Sequence, residues 1–126
     1  MCRFAAAALI LLLSPAAVMA QTAPAMSPYD VAIQKAELFD KLGDSMVTGA
    51  SALIDTGSTA ADVCPYLTSA VDDWKKAAAL YDTARTAAAD PTDTDRKDEA
   101  TLKDASAFAL QKAERGQGIF DENCKP

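Results

Sequence analysis

The sequence predicts an all-α protein: an up-down-up antiparallel bundle of three helices, closed by one disulfide between Cys64 and Cys124. Three observations carry this. Apolar residues recur at alternating spacings of three and four through three long segments, as one buried helix face requires. Strictly alternating polar and β-branched segments are missing, and alanine is abundant throughout. Cys64 and Cys124 lie 30 residues before and after Thr94, inside the turn-forming stretch Asp90-Pro91-Thr92-Asp93-Thr94-Asp95. Folding the chain back at that turn brings the two thiols level.

Residues 1–20 read as a secretory signal peptide. Arg3 precedes an apolar run from Phe4 to Leu13, and Val18-Met19-Ala20 is a small-residue exit. The apolar run is about half of the roughly 20 residues that span a bilayer, which argues against a retained anchor. No membrane span is expected after cleavage. Residues 21–27 have no periodicity and are expected to form a flexible tail. Residues 28–126 then form a single helical bundle domain, within a cleaved chain of about 106 residues.

The first helix is expected over 28–54. Ser27 is an N-cap and Pro28 suits the first helical position. Ala32, Ala36, Phe39, Gly43, Met46, Ala50 and Leu53 form its stripe, widened by Leu38 and Leu42. Gly43 and Gly49 cost about 1 kcal/mol each against alanine, so close packing or a break at Gly43 is implied. Glu37 and Lys41 form a surface pair one turn apart.

Asp55 to Thr59 is a connection with Gly57 as a helix stop. The second helix is expected from about Asp62 to Ala89, which keeps Pro65 within the first turn, where its missing N–H costs nothing. Its stripe is Cys64, Leu67, Val71, Trp74, Ala78 and Tyr81. The third is expected from about Thr94 to Arg115 or beyond. Asp93, Asp95, Asp98 and Glu99 would offset its dipole, and Glu99 and Lys103 would pair on its surface. Its stripe is Leu102, Ala105, Ala109, Ala113, Gly116 and Phe120.

Composition narrows the function. The net charge is −6, and one unit more negative once Arg3 leaves with the signal. Such a chain repels phosphate backbones, so no nucleic-acid partner is expected. With no histidine in 126 residues, Ser-His and Cys-His catalytic pairs and imidazole ligation are excluded. No glycine-rich phosphate loop is present. The acidic turn fails the EF-hand pattern, which needs glycine at position six and a bidentate acid at position twelve. Counted from Asp93, those positions hold Asp98 and Asp104. No catalytic residue, metal ligand or cofactor is therefore assigned, and an enzyme is not expected. The two cysteines that survive processing are far apart in sequence, as a structural bridge in an oxidising compartment would have them.

Two functions are consistent with these features. One is a periplasmic or extracellular protein-binding module of the inhibitor, immunity or chaperone-like kind. Tyr66, off the apolar stripe, is the candidate contact residue. The alternative is a carrier holding an apolar small molecule between helices, near Gly43, Gly49 and Gly116.

Overall fold

The computed structural model describes residues 23–125. The expected signal peptide lies outside the described residues. Three helices are present: α1 (Pro28–Asp55), α2 (Ala60–Thr86) and α3 (Glu99–Cys124). They run up, down and up. The middle helix packs along its length against both neighbours, whereas the backbones of α1 and α3 hardly approach each other.

α1 starts as its sequence demands. Ser27 accepts from the Asp30 N–H at 3.0 Å, and Pro28 occupies the first turn. Ser27 is itself buried. The helix passes through Gly43 without a break and ends before Gly57, whose φ of 74° is the left-handed conformation glycine favours.

α2 begins earlier than expected. The Asp62 carboxylate accepts from the Thr59 N–H at 3.1 Å and from its hydroxyl at 2.6 Å. This capping anchors the start at Ala60 and leaves Pro65 inside the helix rather than in its first turn. Pro65 has no N–H to give the Ala61 carbonyl. Ala61 is exposed, so water can take that place.

α3 begins later than expected. Asp98 caps it, accepting from the Thr101 N–H at 2.7 Å. The stretch from Ala87 to Lys97 is instead a structured connection. The Asp90 carboxylate takes the Thr92 N–H at 2.8 Å. Arg96 donates to the Ala87 and Ala88 carbonyls and pairs with Asp93 at 2.6 Å. Asp93 therefore shapes the loop, and neither it nor Asp95 lies in the helix. Asp95 has a φ of 45°.

The core has three storeys. At the end holding the α1 start, Tyr29, Ala32, Ala36, Ala77, Tyr81, Ala84 and Leu102 are buried together. Trp74, Val71, Ala70 and Ala113 form the middle. Ala50, Val63 and Leu67 close the other end with Leu53, Ile119, Phe120 and Cys124 against them. There Cys64 and Cys124 are bridged, with Cα atoms 5.7 Å apart.

Two details differ from the expected stripes. Leu38 does not widen the buried face of α1; it is 55% exposed. Ser106 is buried on α3 and donates to the Ala78 carbonyl at 3.2 Å, which satisfies its hydroxyl. Nor are the two expected surface pairs made within a helix. Glu37 instead meets Lys97, and Glu99 meets Arg85, at 2.9 and 3.2 Å.

Candidate functional site: a groove over Trp74

Trp74 decides the geometry between the outer helices. Its indole stands between Gly43 of α1 and Gly116 of α3. A Cβ on Gly43 would fall 2.6 Å from Nε1, and one on Gly116 would fall 2.9 Å from Cζ3. Neither leaves room for a methyl group. The two glycines leave the space that the ring fills between α1 and α3. Gly49 has a different neighbour: its Cβ would lie 3.3 Å from the Tyr66 ring. The three glycines do not form one slot, and indole fills the space at two of them.

A network of charge spans the gap that Trp74 creates. The indole N–H donates to Asp44 Oδ1 at 3.1 Å. Lys112 reaches across from α3 and donates to Asp40 at 2.9 Å and to Asp44 at 2.9 Å. Its ammonium also lies 5.1 Å from the Phe108 ring centroid and 5.9 Å from that of Trp74, within cation–π range. Burial lowers the Lys112 pKa, but the hydrogen bonds to Asp40 and Asp44 outweigh it and hold the group above the usual lysine value. Lys112 is thus a charged strut between α1 and α3.

Outside the strut lies a groove of about 250 Å³. Trp74 and Gly116 form its floor. Val47, Phe108 and Ile119 line its sides, and Asp44, Lys112 and Arg115 border it. Phe108 is 57% exposed. Spacing explains the wall: positions 108, 112, 115 and 119 advance by four, three and four along one flank of α3.

Tyr66 lies elsewhere. It is 42% exposed and borders a shallow depression with Met46, Pro65 and Ser69. It shares no lining residue with the Trp74 groove. Sequence reasoning passed over Asp40, Asp44, Phe108's outward position, Lys112 and Arg115. The signal was available: Asp40 and Asp44 one turn apart on α1, opposite the 108–112–115–119 flank. Only the crossing of two helices shows that these flanks face one another. Tyr29 was missed as well. It is buried, its hydroxyl accepts from the Lys97 N–H at 2.7 Å, and Arg96 stacks 4.6 Å from its ring centroid.

No group of three or more acidic or cysteine side chains suited to a metal ion exists among the described residues. No helix among them is long and apolar enough to cross a membrane. Comparison with models of known protein families, with characterised proteins and with solved structures finds no match to this chain.

Proposed function

We propose that this chain is an exported, non-catalytic protein-binding module that works in the periplasm or outside the cell. The observation that carries the reading is an inversion of side-chain placement. The interior is built largely from alanine, while Phe108 and Leu110 on α3 and Leu38 on α1 stand 57%, 46% and 55% exposed. Exposed side chains of that size contribute most of the energy when a partner covers them, aromatic ones above all. The helical scaffold and its disulfide present them rigidly, which lowers the entropy cost of association. The acidic charge, −6 for the whole chain and one unit more negative without Arg3, favours a partner whose contact face is basic around an apolar centre. Tyr66, on the other flank, is the second candidate contact.

The test is capture from the native exported fraction with wild-type protein and with Phe108→Ala, Leu110→Ala and Tyr66→Ala variants. The reading expects one polypeptide to be retained by the wild type and lost with at least one variant that keeps its helical signal. A polypeptide retained equally by all four would overturn it.

A further inference from the structure

The rim of the Trp74 groove is electrostatically uneven. Asp44 is engaged by Lys112 and by the indole N–H. Lys112 is held by Asp40 and Asp44. Arg115 borders the same groove, is exposed, and makes no ion pair or side-chain hydrogen bond among the described residues. A guanidinium offers five donors and no acceptor, so its complement is an anion, best a planar carboxylate. Beside it the wall is apolar, built from Val47, Phe108 and Ile119 over Trp74.

We infer that this groove binds a small amphipathic carboxylate, with its apolar body against Trp74, Phe108 and Ile119 and its carboxylate on Arg115. Size selects the class. A volume of about 250 Å³, at roughly 30 Å³ per water-sized group, holds about eight such groups. That is below the roughly 300–1,000 Å³ of sites for drug-sized ligands, and too small for a helix about 10 Å across. A straight-chain acid of about eight carbons matches it. The net charge of −6 repels anions at long range. The apolar body therefore supplies most of the affinity, and Arg115 supplies the choice of head group. The groove shares Phe108 with the proposed protein-binding surface, but the inference stands on Arg115 and the groove's size and does not depend on that reading.

Trp74 is the only tryptophan in the chain and forms the groove floor, so its emission reports occupancy. The disulfide-bonded protein is titrated with octanoate, octanol and octylamine, each below its aggregation threshold. Octanoate should change the emission saturably, with octanol weaker and octylamine weakest. Arg115→Gln should weaken octanoate by about ten-fold, the loss of one charged hydrogen-bonding partner, and leave octanol unchanged. Arg115 is exposed, so the variant should keep its fold, which circular dichroism verifies. No saturable response to octanoate by several millimolar overturns the inference. So does an Arg115→Gln variant that binds octanoate as the wild type does, or octylamine binding as tightly as octanoate.

Discussion

Alanine in place of Gly43 tests whether the indole truly wedges the bundle. By helix propensity alone the change should stabilise α1 by about 1 kcal/mol. The structure opposes that gain. The new Cβ would lie 2.6 Å from Trp74 Nε1 and 2.7 Å from Cδ1. The ring cannot simply retreat, because its N–H is bound to Asp44 at 3.1 Å and its far edge rests on Gly116. Overpacking of this kind costs about 1–3 kcal/mol. The net effect is a loss of up to about 2 kcal/mol, towards the upper end because the ring is held on both sides. Gly118 is the control. It lies in α3, and nothing stands within 4 Å of a Cβ built there. Gly118→Ala should therefore stabilise by nearly the full 1 kcal/mol. One substitution type should thus give opposite signs at two helical glycines, some 2–3 kcal/mol apart. Urea unfolding measures both, and Trp74 emission reports whether the ring has moved. If Gly43→Ala stabilised the protein as much as Gly118→Ala, the indole would not be wedged against Gly43.

Three further outcomes are expected. Reduction of Cys64–Cys124 reopens a loop of 60 residues, worth roughly 4 kcal/mol in the chain-entropy model. The melting temperature should fall by well over 10 °C at roughly 4–8 °C per kcal/mol; an unchanged melt in reductant would remove this role from the bridge. Pro65→Ala should raise stability by about 1–3 kcal/mol in chemical denaturation, since it restores the N–H missing opposite the Ala61 carbonyl; a loss would mean that the proline ring packs usefully. Asp98 has its pKa lowered, first by the Thr101 N–H and then by the Thr101 hydroxyl. A depressed carboxylate contributes stability above its unfolded value of about 3.9, and that contribution is lost as pH falls through the folded value. Asp98→Asn keeps a capping oxygen but cannot titrate, so its stability should decline less steeply below about pH 4. Identical acid limbs in wild type and variant would refute the assignment.

How legible each part was depends on how local its cause is. The α1 start was legible because Ser27 and Pro28 act on backbone groups within a turn of themselves. The α3 start was not. Thr94 has acidic neighbours like those of a helix start. However, its N–H is taken by Asp30, 64 residues away, and the Lys97 N–H is taken by the Tyr29 hydroxyl. Those long-range bonds hold the segment as a loop until Asp98 can cap. The same logic covers the ion pairs. Glu37 and Lys41 are spaced to meet on one helix, yet Lys97 from the α3 approach reaches Glu37. Phe108 shows the limit for the groove. Its place off the stripe of Leu102, Ala109 and Ala113 is readable from spacing, but that its flank faces Asp40 and Asp44 across the gap is not.

Read alone, the 126 residues determine three helices, their order, their apolar stripes and the two cysteines able to meet. Each of these follows from periodicity, capping and spacing along one chain. Tertiary structure decided that Trp74 divides α1 from α3, that Lys112 bridges the gap, and that a groove bordered by Arg115 remains. Those features depend on which flanks of separate helices face each other. That choice is made by packing across all three storeys of the core, with one indole seated between two glycines in the middle, and no short-range pattern encodes it.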